Sequence, residues 1–359
     1  MNKYEIIKNA LLGDTVTDVI VYGGKIISIG KTTTLAEDVI DLDGARLLPG
    51  LVDIHTHGAL GYDTMDAHSD GLCKMAKFLK ENGVTSFYPT TMTMGRADIE
   101  KALSQEIPAG AEYAEVLGFH MEGPYISAKH KGAQNEADIK DPTVAEFSGF
   151  KGVKLLTLAP ELAGSAEVIK YCAENGIRTC LGHTDADYDT ALGAFGAGAD
   201  CLTHTFNAMP PMLHRAPGPV GAAITANAYA QVICDGIHIH PAVINALYRI
   251  FGADRMILIS DAMRATGMPD GEYMFGGQPM TVKNSVARTA DGALAGSTST
   301  LLHCVEKAIE FGIPAPDAYK MASETPAKMM GLRKGRIEVG FDADLIVATP
   351  DYKFIRTLM

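Results

Sequence analysis

The chain has 359 residues, 47% of them apolar, and its formal net charge is −12. This length allows one large domain, or a large domain with a small one beside it. The negative charge argues against nucleic acid or an anionic membrane as a partner, because both require a broad basic face. A phosphorylated small molecule is not excluded, since one arginine and a few amides can hold a phosphate.

The sequence also indicates the cellular compartment. It contains no run of about 20 apolar residues that could span a membrane, and charges interrupt the first apolar run, which argues against a secretory signal. No CxxC pair occurs among the six cysteines, which are Cys73, Cys172, Cys180, Cys201, Cys234 and Cys304. Free thiols in a reducing environment explain this spacing best, so we predict a cytoplasmic protein.

The two ends of the chain share one character. Residues 1–46 consist of short alternating segments with turns, including "TDVIVYGGKIISIG", in which Gly23-Gly24 predicts a hairpin. Residues 335–349, "GRIEVGFDADLIVAT", have the same pattern. We therefore expect residues 1–46 and 335–359 to pair into a small β-domain, and residues 47–334 to form the main domain.

Apolar runs alternate with helical stretches through the main domain. Three helices are predicted from their caps and ends: Asp70 to Gly83, Ser165 to Gly176, and Pro241 to Gly252. Eight runs rich in Val, Ile and Leu predict strands: "LVDIHTHG", "VTSFYPT", "EVLGFHMEG", "VKLLTLAPE", "RTCLGHT", "DCLTHTFN", "AQVICDGIH" and "MILISDA". This alternation predicts an α/β fold, a (β/α)8 TIM-type barrel.

Polar residues fall at the carboxyl ends of six predicted strands. They are His55 and His57 on the first, Glu122 on the third, His183 on the fifth, His204 on the sixth, Asp235 and His238 on the seventh, and Asp261 on the eighth. In such a barrel the loops at this face build the active site, and His55 and His57 project on one side of their strand. The combined nitrogen and oxygen ligands suit Zn²⁺ or Fe²⁺.

Each residue taken singly has a simpler explanation. A lone histidine is more often an ordinary core or surface residue, and we interpret His68, His120, His130, His240 and His303 in this way. Glu122 could cap a turn, and Asp261 could cap a helix. The coincidence of these residues at matching ends of several strands favours a metal site.

Eight motifs carry a family resemblance that covers nearly the whole chain in order. They are "PGLVDIHTHGALGYDTMD", "HMEGPYISAKHKGAQN", "LTLAPE", "LGHTDA", "THTFNAMPPMLHRAPG", "DGIHIHP", "ISDAMRATG" and "LAGSTSTL". Together they resemble the N-acetylglucosamine-6-phosphate deacetylase family of the amidohydrolase superfamily. The resemblance implies a metal-dependent barrel with a small β-sandwich domain, a homodimer, and hydrolysis of N-acetylglucosamine 6-phosphate to glucosamine 6-phosphate and acetate.

The resemblance also implies residue roles. Glu122, His183 and His204 would bind the metal common to the family, and Asp261 would be the catalytic acid/base. Family members differ at the first strand, and this chain retains His55 and His57, so one or two divalent ions are expected, with Glu122 bridging when there are two. Substrate contacts would come from Ala133, Gln134, Asn207, Ala208, Arg215, Asp235, His238, Leu294, Ala295 and Gly296.

Among these, Asn207 and Arg215 are the expected phosphate contacts. Gln134, where some relatives carry a histidine, would polarise the acetyl carbonyl. The final "FIRTLM" stops short of a segment with which relatives often finish, which leaves the last strand of the small domain, but not the chemistry, in question.

Several alternatives stay open on sequence alone. The chain could be another amidohydrolase, such as a cyclic amidase or a nucleobase deaminase, or a deacetylase for a different N-acetylated sugar phosphate. Many cyclic amidases bridge two metals with a carboxylated lysine at the end of the fourth strand, whereas Lys154 begins that strand here. A non-catalytic relative that forms assemblies would be expected to have lost the ligands or Asp261.

Overall fold

The computed structural model describes residues 4–33, 36 and 38–358. The predicted small domain includes residues 1–3, 34, 35, 37 and 359, which lie outside the described residues.

Both ends of the chain contribute to one seven-stranded sheet. Its strands are β1 (Tyr4–Leu12), β2 (Thr15–Tyr22), β3 (Lys25–Ile29), β4 (Asp38–Asp41), β5 (Arg46–Pro49), β20 (Leu345–Ala348) and β21 (Phe354–Thr357). The predicted hairpin at Gly23-Gly24 joins the antiparallel strands β2 and β3, and both glycines have the positive φ that such a turn needs. β20 pairs antiparallel with β5 and with β21, which connects the two ends of the chain.

Eight parallel strands lie between residues 51 and 259. They are β6 (Leu51–Thr56), β9 (Val84–Pro89), β11 (Phe119–Glu122), β12 (Val153–Leu158), β13 (Arg178–Leu181), β14 (Cys201–Leu202), β15 (Tyr229–Ile233) and β16 (Met256–Ile259). Short pairs lie beside them: β7 (Gly58–Ala59) with β8 (Tyr62–Asp63), and β10 (Glu115–Val116) with β9. Each of the eight predicted runs overlaps one of these strands, so that prediction is confirmed.

The parallel strands lie in two sheets that meet at both of their edges. One sheet runs from β11 through to β16 in chain order, and the other contains β6 and β9. Backbone bridges join Thr90 to His120 on one side and Thr56 to Ala262 on the other. Parallel strands that follow one another in space as in sequence require a crossover between each pair, and helices supply most of these crossovers.

Ten α-helices occur within the described residues. They are α1 (Ser69–Glu81), α2 (Arg96–Leu103), α3 (Val144–Phe147), α4 (Ser165–Glu174), α5 (Tyr188–Ala197), α6 (Gly218–Ala226), α7 (Pro241–Phe251), α8 (Leu301–Glu310), α9 (Ala315–Met321) and α10 (Glu324–Met330). The three predicted helices are α1, α4 and α7, and each is confirmed to within about two residues. Pro241 occupies the first turn of α7, where its missing N–H removes no hydrogen bond.

Two apolar clusters pack against the parallel strands, one on the side of the helices and one on the inner side. The larger cluster combines strand residues such as Phe87 and Leu258 with helix residues such as Leu72 and Leu247. A smaller cluster draws side chains from seven of the parallel strands and closes on Ala327 and Met329 of α10. This smaller cluster fills the space between the strands and leaves their carboxyl ends to polar residues.

A second, antiparallel sheet follows β16 and was not predicted. Its strands are β17 (Gly271–Phe275), β18 (Gln278–Lys283) and β19 (Val286–Thr289).

None of the described helices has the length and apolar content that crossing a membrane requires.

Lys334 connects the parallel strands to the terminal sheet. It is 7% exposed, and its Nζ lies 2.6 Å from Glu115 Oε2 and 2.5 Å from Asp344 Oδ2. Burial raises the pKa of Asp344 while Lys334 opposes that rise. The lysine therefore offsets part of the cost of ionising a mostly buried carboxylate.

Replacing Lys334 with methionine should lower the free energy of unfolding by about 2 kcal/mol, somewhat less than breaking a fully buried pair because Glu115 is exposed. Lys353→Met is the control, since its pair with Asp351 has side chains 80% and 65% exposed and should contribute less than about 0.5 kcal/mol. Urea denaturation measures both, and equal losses in the two variants would contradict the connecting role.

Candidate active site and metal centre

Six polar side chains meet where the parallel strands end. They form two groups, His55 with His57 and Asp261, and Glu122 with His183 and His204, and the candidate ligand atoms in each group lie within 4.8 Å of one another. Every one of the six residues is buried. The sequence places them up to 206 positions apart (55 to 261), so only the shared edge of the strands brings them together.

Glu122 lies between the two groups. Its Oε1 is 3.3 Å from His183 Nε2, 3.2 Å from His204 Nε2 and 3.4 Å from His55 Nε2, while its Oε2 is 3.4 Å from His57 Nε2. Oε1 is buried and accepts a hydrogen bond from none of the described residues. A buried carboxylate oxygen that is surrounded by imidazoles without being hydrogen bonded fits a ligand of a metal ion.

The hydrogen bonds of three of the four imidazoles support the same interpretation. His57, His183 and His204 each place Nδ1 against a main-chain carbonyl, of Thr90, His130 and Asn207 respectively, at 2.9–3.2 Å. Because a carbonyl only accepts, each Nδ1 carries a proton, and in the neutral ring that binds a metal each Nε2 presents a lone pair.

These lone pairs face one another. The Nε2 atoms of His183 and His204 are 3.1 Å apart, and those of His55 and His57 are 3.3 Å apart. Two lone pairs at such distances repel unless a cation lies between them. The donor set therefore fits a divalent ion held by imidazole and carboxylate.

Charge balance points the same way. Burial alone would raise the pKa of Glu122, but His55 and His183 outweigh it and hold that pKa well below its ordinary value. Burial likewise opposes ionisation of Asp261, yet His55 and His57 lower its pKa. Burial would lower the pKa of His57, but Asp261 and Glu122 raise it to about 10. Two ionised carboxylates thus demand positive charge at this point.

The main chain is strained at three of these residues. His183, His204 and Asp261 have φ values of 48°, 25° and 46°, in a region that residues other than glycine rarely adopt. At Asp261 the surroundings fix the conformation, since its N–H donates to the His55 carbonyl and its own carbonyl accepts from Ser297 N–H. Gly296 permits that approach, because a Cβ there would lie 3.1 Å from the Asp261 oxygen.

A cavity of about 410 Å³ opens above the ligands. The predicted site residues that line it are His57, Glu122, Ala133, Gln134, His183, His204, Asn207, Ala208, His238, Asp261, Leu294 and Gly296. His55 lies beneath this surface against Glu122 and Asp261, and Ala295 is fully buried in the apolar core.

Gln134 contacts the ligand set directly. Its Nε2 donates to Glu122 Oε2 at 2.6 Å, and its Oε1 accepts from Thr93 N–H at 2.7 Å. One amide hydrogen therefore orients the central carboxylate, and the second is left for another acceptor.

Asp235 acts behind the cavity wall. Its carboxylate accepts from His238 Nδ1 at 2.7 Å and from the N–H groups of Ile237 and His238. Asp235 therefore fixes the ring of His238, and it is His238 that faces the cavity.

Arg215 lies outside the cavity of its own chain. It is exposed, its Nη1 contacts His214 Nε2 at 2.6 Å, and it lines a separate cavity with Asp187 and Pro211. The structure therefore does not bring Arg215 to the ligands of the same subunit.

The cavity also includes residues that the sequence analysis did not select. They are Met92, Lys129, His130, Gly132, Phe206, Ile233, Phe275 and Ala293. Lys129 and His130 lie within a motif already identified, so their proximity to Gln134 was a usable signal. No motif marked Phe275, whose ring lies 5.2 Å from that of His57.

His120, interpreted above as an ordinary core residue, lies directly beside the ligands. It is fully buried and packs edge-on against His55 with ring centroids 4.5 Å apart. Its Nδ1 contacts Thr90 Oγ1 and its Nε2 contacts Thr157 Oγ1.

Comparisons with known proteins agree with this geometry. Residues 46–357 match the model of the amidohydrolase family. The chain is 40% identical over 332 residues to an N-acetylglucosamine-6-phosphate deacetylase of Vibrio furnissii, covering 89% of this chain and 83% of that protein. It is 38% identical to an N-acetylgalactosamine-6-phosphate deacetylase of Escherichia coli O157:H7, covering 82% and 80%.

A solved structure is similar over the whole chain. The crystal structure of N-acetylglucosamine-6-phosphate deacetylase from Pasteurella multocida matches with a TM-score of 0.90 at 29% identity, covering 99% of this chain and 98% of that one. Such likeness implies a TIM-type architecture with a second domain. The chain therefore belongs to the amidohydrolase family and, within it, to the N-acetylglucosamine-6-phosphate deacetylases.

Proposed function

We propose that this chain hydrolyses the acetamide of N-acetylglucosamine 6-phosphate, releasing acetate and glucosamine 6-phosphate. The observation that carries the proposal is the grouping of Asp261 with four histidines and Glu122 at the floor of one cavity. The choice of substrate is supported by relatives named as deacetylases of this class of sugar phosphate, which are 40% and 38% identical to the chain.

Hydrolysis of an amide requires an activated water, a stabilised oxyanion and a protonated leaving nitrogen. A divalent ion, when bound by these ligands, lowers the pKa of its water to about 7 and polarises a carbonyl oxygen. His183, His204 and Glu122 would hold the first ion, and His55, His57 and Asp261, with Glu122 shared, would hold a second. The nitrogen and oxygen donors favour Zn²⁺ or Fe²⁺.

Asp261 is proposed as the acid/base. Its lowered pKa keeps it ionised and able to accept a proton from the attacking water. The same carboxyl would then protonate the leaving nitrogen of the sugar. Its backbone, fixed to His55 and Ser297, holds the carboxylate in one place during both transfers.

Gln134 is proposed as the donor to the acetyl oxygen. One of its amide hydrogens is bound to Glu122, and the other would donate to the oxyanion as the carbonyl becomes tetrahedral. Thr93 holds the amide in this orientation.

The phosphate is proposed to bind in the part of the cavity that Asn207, Ala208 and His238 line. Arg215 would complete that site from a second copy of the chain, because in its own subunit it lines a different cavity. Support for a homodimer comes from the exposed apolar residues near Arg215, with Met212 41% and Leu213 54% exposed. Asp235, Leu294, Ala295 and Gly296 would shape the sugar pocket from behind or beside it.

Two alternatives differ in their support. A cyclic amidase that uses a carboxylated lysine is disfavoured, because Lys154 is exposed at the beginning of β12. A preference for N-acetylgalactosamine 6-phosphate is favoured by one of the relatives. Assaying N-acetylglucosamine 6-phosphate and N-acetylgalactosamine 6-phosphate side by side decides which sugar is preferred.

We also propose the finer architecture and location. The bridges at Thr90–His120 and Thr56–Ala262 support closure of the eight strands into a (β/α)8 barrel. β5 spans the predicted limit at residue 46, so the proposed β-sandwich domain extends to Pro49 before the chain enters the barrel and resumes at residue 335. The six cysteines, all unpaired and within the described residues, support a reducing, cytoplasmic location.

Asp261→Asn should reduce kcat for acetate release by about 10²–10⁴-fold, because the amide cannot accept the proton of water. Asp98→Asn, an exposed change on α2, should leave kcat unaltered. Acetate is measured with the phosphorylated sugar and the unphosphorylated sugar in parallel. An Asp261→Asn variant with wild-type kcat would remove Asp261 from the mechanism.

Metal removal should abolish activity reversibly. Dialysis against a chelator should stop acetate release, and added Zn²⁺ or Fe²⁺ should restore it. His204→Ala should prevent stoichiometric retention of metal, measured by mass spectrometry, because it leaves two ligands in its group. His303→Ala, with its side chain 45% exposed on α8, should retain metal like the wild type.

Subunit mixing tests the origin of Arg215. Arg215→Ala and Asp261→Asn should each be nearly inactive alone, the former through a raised KM. Co-refolded or co-expressed in equal amounts, they should regain roughly a quarter of the wild-type activity, because each mixed dimer contains one intact site. No recovery would place Arg215 outside the phosphate site or in its own subunit's site.

A further inference from the structure

One of the four imidazoles is held differently from the others. His57, His183 and His204 are oriented by main-chain carbonyls, whereas His55 Nδ1 contacts the side chain of Gln231, with Oε1 at 3.1 Å. Gln231 is on β15, is fully buried, and does not line the substrate cavity. Its side chain therefore contacts the metal centre from beneath, without access to substrate.

An amide can present either an acceptor or a donor to a histidine, and a main-chain carbonyl cannot. With Oε1 towards His55, Nδ1 carries the proton and Nε2 offers its lone pair to the ion position. With Nε2 of Gln231 towards His55, the imidazole would carry its proton on Nε2 and direct it at Glu122 and Asp261. In that second tautomer, His55 could not bind a metal ion.

Two neighbours hold the first arrangement in place. Gln231 Nε2 donates to Cys180 Sγ at 3.4 Å, which turns Oε1 towards His55. On another side of His55, the ring of His120 packs edge-on and is itself held by Thr90 and Thr157. The His55 ring is thus confined by the amide and by this imidazole.

The two ion positions share Glu122 but differ in their other ligands. His55 belongs to the group with His57 and Asp261, and no ligand of the other group forms a hydrogen bond with the Gln231 side chain among the described residues. We propose that Gln231 is a positioning residue that selects the metal-binding tautomer of His55, and that it thereby sets the occupancy of the His55–His57–Asp261 position independently of the Glu122–His183–His204 position. This inference rests on the proposed metal-dependent function.

The test is a Zn²⁺ titration of the metal-free full-length protein, read by competition with a chromophoric chelator. Gln231→Met has similar length and no acceptor for Nδ1, so it should weaken the second ion by about 10–100-fold and leave the first unchanged. Gln231→Glu keeps an acceptor and should restore the second ion. Gln105→Met is the matched control, because Gln105 donates only to the carbonyls of Thr64 and Ala102.

Two results would overturn the inference. One is that Gln231→Met binds each of the two ions with the same affinity as the wild type. The other is that the wild type is saturated by a single ion. Should Gln231→Met fail to fold, as judged by its melting temperature, long-range ¹H–¹⁵N spectra of the metal-free wild type replace it. Those spectra should place the His55 proton on Nδ1, and a proton on Nε2 alone would contradict the proposal. Acetate release by the wild type, measured separately, shows whether the proposed function itself fails.

Discussion

The site depends on keeping two carboxylates ionised in a nearly dry environment. Glu122 is 2% exposed and Asp261 7%, and an isolated buried carboxylate would become neutral. Neighbouring imidazoles lower the pKa of each acid, chiefly His55 and His183 at Glu122 and His55 and His57 at Asp261. A divalent cation bound among these side chains would balance the charge of the carboxylates and accept the lone pairs of the neutral imidazoles.

The surrounding structure holds the carboxylates and imidazoles close together although their negative charges and lone pairs repel one another. Main-chain carbonyls fix three of the imidazole rings, and backbone hydrogen bonds to His55 and Ser297 maintain the strained φ of Asp261. Rigid strand ends suit this purpose better than loops, because a shift of about 0.5 Å is enough to spoil a ligand set. The same strands then position the loops that surround the substrate cavity.

The antiparallel sheet β17–β19 extends this control to the cavity mouth. Gln278 Nε2 donates to the carbonyls of Ala133 and Gln134 at 3.3 Å, and Gln134 in turn holds Glu122. Phe275, from the same hairpin, packs against His57. The hairpin therefore contacts the metal centre through one hydrogen-bonded loop and one aromatic ring.

Periodicity and capping signals were enough to predict the eight parallel strands, and three helices were predicted to within about two residues. The β17–β19 sheet was missed because its strands are short and half exposed, so they lack the continuous apolar signal of buried parallel strands. His120 and Gln231 were missed or set aside for a related reason. The sequence around a single buried polar residue does not reveal its hydrogen-bond partner, because that partner lies on another strand.

Apolar patterning alone specifies which side chains end the strands, because it defines each strand and the next polar residue is forced to its edge. The fold was needed to show which nitrogen of each histidine faces inward, that Gln134 is bound to Glu122, and that Arg215 lies outside the substrate cavity. Those properties depend on contacts between residues far apart in the chain. The energy of a buried charge is set by its neighbours in space, and the order of residues alone does not specify them.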